Sequence, residues 1–227
     1  MPIDIYFLSN VILWITNLLT LVIACLYCYR VDRPDYLRIF PIYLFVSIAI
    51  EFFANSFIRK WFPFPFLDHQ PALAHALYNL FTPFETFVFA YFLYQIIQSN
   101  LIRKWAIALL SLFSIYFIGF CLVKGVGTFS FLAVLLESFI CIILCLAFYR
   151  QLFTRTESID LLKEHSFWLV TGIFFYLATI FPLFMAASYL KTHGLVKVAK
   201  GLYCINNFAL AITYFLFIKG FTCRIKK

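Results

Sequence analysis

Residues 129–153 read FSFLAVLLESFICIILCLAFYRQLF, a run of 25 positions in which Glu137 is the one acidic residue and Arg150 the one basic residue. A helix of about 20 residues crosses the hydrocarbon core of a bilayer, because each residue advances an α-helix by about 1.5 Å. The run is therefore long and apolar enough to be a transmembrane helix. The carboxylate within it predicts that one face of this helix is turned away from lipid.

Six further runs of the same kind lie on either side of it, and short segments rich in proline, glycine or charge separate them. None of these segments is long enough to divide the chain into two domains. We predict an all-α, polytopic membrane protein with one transmembrane domain over residues 1–227. Its seven helices are predicted at residues 5–28, 36–57, 74–97, 101–123, 129–153, 167–190 and 200–220.

The composition of the chain agrees with a protein surrounded by lipid. Hydrophobic residues make up 64% of 227 positions and charged residues 12%, whereas soluble domains are about half apolar and a quarter charged. The net charge of +8 arises from basic residues that stand singly or in pairs between the apolar runs. Such residues orient helices in a membrane, so the charge does not indicate nucleic acid as a partner.

The distribution of basic residues predicts the orientation. When loops are assigned to alternating sides, twelve of the 18 Lys and Arg residues fall on the side that holds the C-terminal tail, and six fall on the other. The positive-inside rule therefore places the C-terminus in the cytoplasm and the N-terminus outside. The first run lacks a basic leader and a small-residue cleavage site, so we expect it to remain in the mature chain.

Three glutamates lie within predicted helices. Measured from the predicted outer helix ends at 1.5 Å per residue, Glu51 lies roughly 9 Å deep, Glu137 roughly 12 Å and Glu85 roughly 17 Å. An ionised carboxylate is costly in hydrocarbon, so such residues face the bundle interior, pair, or stay protonated. We expect all three to point inward, in the outer half of the membrane or near its midplane.

Other polar side chains fall at similar depths on helices two, three, six and seven. Together with the glutamates they predict a polar pocket that opens outward, with no metal and no cofactor. Helix four carries few polar residues, and we expect it to lie at the periphery. The candidate ligand-binding residues are Glu51, Asn55, Tyr78, Thr82, Glu85, Glu137, Tyr176, Asn206 and Asn207.

Two known classes of seven-helix protein are excluded by missing residues. A retinal protein needs a lysine in the middle of helix seven, where this chain has Ala209, Leu210 and Ala211. Membrane zinc hydrolases of the ceramidase and adiponectin-receptor kind need several intramembrane histidines. Each of the four histidines of this chain falls in a loop or near a helix end: His69, His75, His165 and His193.

Two strings resemble segments of small bacterial seven-helix membrane proteins. They are YNLFTPFE at residues 78–85 and LYCINN at residues 202–207. The resemblance implies a multi-pass protein of the bacterial inner membrane and names no activity. The length and hydrophobicity are also similar to those of lipid ether hydrolases of the lysoplasmalogenase type, although no motif of theirs is matched.

Three functions follow from a polar interior, and we favour the first. A receptor-like or binding protein would hold a small or lipidic ligand, lie among membrane lipids, and act through a membrane or cytoplasmic protein partner. A lipid-modifying enzyme would use Glu85 or Glu137 as general acid or base, but no Ser-His, Cys-His or metal constellation accompanies them, and no catalytic residue is assigned. A proton-coupled transporter would bind its proton on a glutamate. The glutamates could instead be neutral acids that only hold helices together.

Overall fold

The computed structural model describes residues 5–30, 33–54, 71–154, 160–193 and 195–223. Within these ranges it contains seven α-helices, two short 3-10 turns at Asp35–Arg38 and Leu161–Lys163, and no strand. The helices are α1 (Ile5–Cys28), α2 (Ile39–Ala54), α3 (Pro71–Ile96), α4 (Asn100–Lys124), α5 (Phe131–Phe153), α6 (His165–Thr192) and α7 (Val196–Thr222).

The seven predicted helices are all present, and their ends differ from the prediction by at most four residues. The start predicted at residue 36 is wrong for α2, because Asp35–Arg38 forms a 3-10 turn before the helix begins. The predicted residues 55–57 lie outside the described part of the chain. Most other helices extend beyond their apolar runs, since helical hydrogen bonds continue into polar residues at the membrane surface.

Six of the seven helices are long and apolar enough to cross a membrane, and α3 is the exception. Its 26 residues would span about 39 Å at 1.5 Å per residue, so length is not what it lacks. Its polarity comes from side chains that are buried inside the bundle, and these are Asn79, Thr82, Glu85 and Thr86. The helix is polar because these residues face other helices instead of lipid.

The helices form a ring of six with one helix outside it. Going around the ring, α1 packs on α2, α2 on α3, α3 on α5, α5 on α6, α6 on α7, and α7 on α1. The remaining helix, α4, leans on α3 and α5 from outside, and its buried residues are Ala106 and Phe113. The expected peripheral position of helix four agrees with this arrangement.

The two ends of the ring interior differ in chemistry. We call the end that holds Asp35–Arg38 and Leu161–Lys163 the inner end, because the positive-inside count predicts it to be cytoplasmic. Near this end the Phe40 ring contacts the rings of Phe92, Phe217 and Phe221, with centroids 5.0 to 5.6 Å apart. All four rings are buried. We call them the aromatic layer.

Candidate functional site

The middle of the ring is occupied by hydroxyl and carboxyl groups from facing helices. The Tyr43 hydroxyl on α2 donates a 2.6 Å hydrogen bond to Oε1 of Glu85 on α3. Tyr176 on α6 lies close enough to interact with the same carboxyl group. Glu85 is only 4% exposed. Predicted residues from two different helices, Glu85 and Tyr176, therefore meet in one polar cluster.

Glu137 on α5 belongs to the same cluster and is an electrostatic neighbour of Glu85. It is 3% exposed, and its Oε1 atom has no hydrogen-bond partner among the described residues. The Thr86 hydroxyl lies beside this carboxyl group but donates to the Thr82 carbonyl at 2.7 Å. Two buried acids thus lie within electrostatic range of each other, and one of them keeps an unused acceptor.

Glu51 lies nearer the outer end and is only partly buried. The Tyr78 hydroxyl on α3 donates to its Oε1 at 3.3 Å. Tyr214 on α7 is buried, contacts Ser47 and interacts electrostatically with both Glu51 and Glu85. The glutamates and tyrosines therefore form one polar cluster that extends from the ring centre toward the outer end.

This cluster has no buried positive charge to balance its acids. The buried side chains of the described ranges include no Lys and no Arg, and the one buried histidine, His165, lies at the inner end. Buried carboxylates are stable when they are paired with a cation or carry a proton. The arrangement can therefore accept a proton or a cationic group, and hydroxyl groups are the hydrogen-bonding partners already present.

The remaining predicted residues have different surroundings. Thr82 donates to the Tyr78 carbonyl at 3.0 Å, within its own helix. Asn207 turns toward α1, where its Nδ2 atom donates to the Ser9 hydroxyl at 3.2 Å. Asn206 has a buried Oδ1 without a hydrogen-bond partner among the described residues. Asn55 lies outside the described part of the chain.

The sequence analysis missed four members of the cluster: Tyr43, Ser47, Thr86 and Tyr214. A signal for two of them was available, since Tyr43 and Ser47 precede Glu51 by eight and four residues and therefore lie on the same helix face. Both Tyr43 and Tyr214 are buried.

The polar side of α1 was also missed. Ser9, Asn10, Thr16, Asn17 and Thr20 are all buried against the bundle. The hydroxyls of Thr16 and Thr20 bond within the helix, whereas Asn17 Oδ1 and Trp14 Nε1 have no hydrogen-bond partner in the described ranges. Polar groups therefore continue from the cluster to the interface of α1 with its neighbours.

Asn79 is not a member of the polar cluster and instead holds two parts of the fold together. Its Nδ2 atom donates to the carbonyls of Val126 and Thr128 at 2.7 and 2.6 Å, and its Oδ1 accepts from the Ser130 backbone at 3.0 Å. The residue is 1% exposed. It attaches the connection between α4 and α5 to the outer part of α3.

The helices and their buried polar interior define a multi-pass helical membrane protein. A scan against models of protein families, a search of curated proteins and a search of solved structures each found no match to this chain. Within the described ranges, no group of three or more His, Cys, Asp or Glu side chains could hold a metal ion.

Proposed function

We propose that the protein is a receptor-like binding protein that takes a small or lipidic molecule into the outer half of the helix ring. The observation that carries this proposal is the Oε1 atom of Glu137, which is buried without a hydrogen-bond partner among the described residues. A buried acceptor of this kind costs free energy unless a partner is supplied. A bound molecule would supply that partner.

The chemistry of the two ends of the ring supports entry from the outer end. Glu51 is the most exposed of the three acids, and it lies outward of Glu85 on the path that the cluster follows. In the opposite direction the aromatic layer begins with Phe92, about 10 Å from Glu85 along α3 at 1.5 Å per residue. Packed phenylalanine rings offer no hydrogen bonds to a polar ligand, so the inner side is the less favourable route.

The experiment compares the native chain with Glu137→Gln, which keeps the side-chain shape and removes the charge. Both proteins are purified in mild detergent, and native mass spectrometry measures the mass bound to each. We expect a bound molecule in the native protein, and its loss together with a lower melting temperature in the variant. The control is Asp35→Asn, an exposed acid at the inner end, which should retain the molecule. A native protein without a bound molecule, or equal retention in Glu137→Gln, contradicts the proposal.

A proton-coupled transporter is a second candidate, and the proximity of Glu85 and Glu137 favours it. Two neighbouring acids in an apolar ring are unfavourable when both are ionised, so the pair is suited to hold one proton. Transport would also require the aromatic layer to open, because it closes the ring on the inner side. No comparable observation favours the enzyme.

The two candidates differ in what happens to protons when the ligand is added. The protein is reconstituted into liposomes that contain a pH-sensitive dye, and the molecule identified by mass spectrometry is added outside. A proton-coupled importer acidifies the lumen, and Glu85→Gln abolishes the change. A receptor leaves the lumen pH unchanged in both proteins.

A further inference from the structure

A cavity of about 170 Å³ lies at the inner end, away from the polar cluster. It is open on one side, and its volume is several times what one ordered water needs. One half of its wall is apolar and is formed by Ile96, Phe148 and Leu152. The other half is polar and is formed by Tyr36, Glu164, His165 and Ser166.

The polar half is held together by hydrogen bonds among its own side chains. The Ser166 hydroxyl donates to Glu164 Oε1 at 2.5 Å. His165 Nδ1 lies 3.6 Å from the same oxygen, and its Nε2 lies 3.0 Å from the Tyr36 hydroxyl. We assign the ring hydrogen to Nδ1 because this atom faces a carboxylate, and Nε2 then accepts from Tyr36.

In this arrangement the donor hydrogens are engaged within the group, while the oxygen lone pairs remain available to accept hydrogen bonds. With this assignment the hydroxyl hydrogens of Tyr36 and Ser166 bond within the group, and the ring hydrogen of His165 faces the Glu164 carboxylate. The capacity that remains consists of the Tyr36 and Ser166 oxygens and the Glu164 carboxylate, which is 33% exposed. The cavity therefore offers acceptors and one negative charge beside an apolar wall.

We propose that this cavity binds a primary ammonium group whose hydrocarbon portion lies on Ile96, Phe148 and Leu152. An ammonium group has three donors, no acceptor and a positive charge, which complements the polar half. An alcohol lacks the charge, and a carboxylate would face Glu164 with like charge. The site is separate from the polar cluster and does not depend on the function proposed for it.

Two basic residues at the inner end of the described chain, Arg33 and Lys163, have other partners in the structure. Arg33 donates from Nη1 to the Cys223 carbonyl at 2.8 Å, and Lys163 pairs with Asp160 at 2.7 Å. Neither residue lines the cavity. Glu164 is therefore the lining acid that remains for a cation from outside the chain.

The ammonium group could belong to a free amine or to the headgroup of phosphatidylethanolamine. Both present the same three donors, whereas the trimethylammonium group of phosphatidylcholine presents none. The cavity lies where the predicted cytoplasmic ends of the helices meet the membrane surface, so either source could reach it. The experiment therefore includes both.

The soluble probe is hexylammonium, with hexanol and hexanoate as matched compounds of the same chain length. Thermal unfolding of the full chain in phosphatidylcholine nanodiscs gives the apparent Kd of each. We expect hexylammonium to stabilise the protein, and Glu164→Gln to weaken its binding by about 10-fold or more, since one charge-assisted hydrogen bond contributes about 1.5–3 kcal/mol. The matched control is Asp35→Asn, which removes the charge of an exposed acid at the same end and does not line the cavity.

Nanodiscs with phosphatidylethanolamine in place of half the phosphatidylcholine test the lipid source. Stabilisation by this lipid that Glu164→Gln abolishes identifies the headgroup as a ligand, and stabilisation by hexylammonium alone identifies a free amine. Equal effects of hexylammonium and hexanol, or unchanged hexylammonium binding in Glu164→Gln, overturn the proposal. A melting temperature of Glu164→Gln without probe close to that of the native protein shows that the variant is folded.

Discussion

The phenol oxygen of Tyr43 on α2 lies 2.6 Å from Oε1 of Glu85 on α3, inside the helix ring. This hydrogen bond and the bond from Tyr78 to Glu51 join the same two helices at two levels. From the first bond to the second, the residue number rises from 43 to 51 along α2 and falls from 85 to 78 along α3. The two helices are therefore antiparallel neighbours. The hydrogen bonds to Glu51 and Glu85 thus help to align α2 with α3.

Tyr43→Phe tests whether the hydrogen bond from Tyr43 to Glu85 stabilises the packing of α2 on α3. It removes the hydroxyl and leaves the ring, so we expect the free energy of unfolding to fall by about 1 kcal/mol, the usual size for a hydrogen bond between membrane helices. Chemical unfolding in detergent measures the loss. Tyr91→Phe on α3 is the control, because Tyr91 is exposed. Equal stability of the two variants would show that the bond does not stabilise the bundle.

Asn79→Ala should loosen the connection between α4 and α5. The substitution removes the side-chain donor to the Val126 and Thr128 carbonyls and leaves the buried Ser130 backbone N–H without its acceptor. One unpaired buried group costs about 1–3 kcal/mol. Hydrogen exchange followed by mass spectrometry should show faster exchange at residues 125–130. Leu80→Ala changes the next residue, which is exposed, and should leave exchange there unaltered. Slow exchange in both variants would argue against this role for Asn79.

Gly172→Ala should destabilise the contact between α6 and α7. A Cβ atom at Gly172 would lie 2.7 Å from the buried Phe217 ring, and overpacking of this kind costs about 1–3 kcal/mol. The melting temperature should fall, and Phe217→Leu in the same chain should restore part of it. Gly119→Ala is the matched control, since nothing lies within 4 Å of a Cβ at that position. An equal melting temperature for Gly172→Ala and Gly119→Ala would contradict the close packing.

The orientation predicted from basic residues can be tested with fusions at the C-terminus. A green fluorescent protein fused there should fluoresce in a bacterial host, and alkaline phosphatase fused at the same point should be inactive, because each folds productively on one side of the membrane only. The reciprocal result would reverse the inner and outer ends. The cavity beside His165 would then face the outside.

Many residues of the polar cluster could be predicted from the sequence. Few of the contacts between them could. Glu51, Glu85 and Glu137 stand out because acids are rare inside apolar runs. Their partners Tyr43 and Tyr214 do not stand out, because tyrosine is common at membrane surfaces as well as in interiors. Asn207 was expected in the cluster and instead bonds to Ser9, since the sequence does not show which neighbour a helix face meets.

The sequence by itself determined the class of the protein and the number of helices. The physical reason is that a membrane requires helices of defined length, and that each residue advances a helix by a constant amount. Only the tertiary structure decided the order of helices around the ring and the meeting of Tyr36 with His165 at 3.0 Å. These features depend on the rotation and packing of whole helices against each other, which residues far apart in the chain set together.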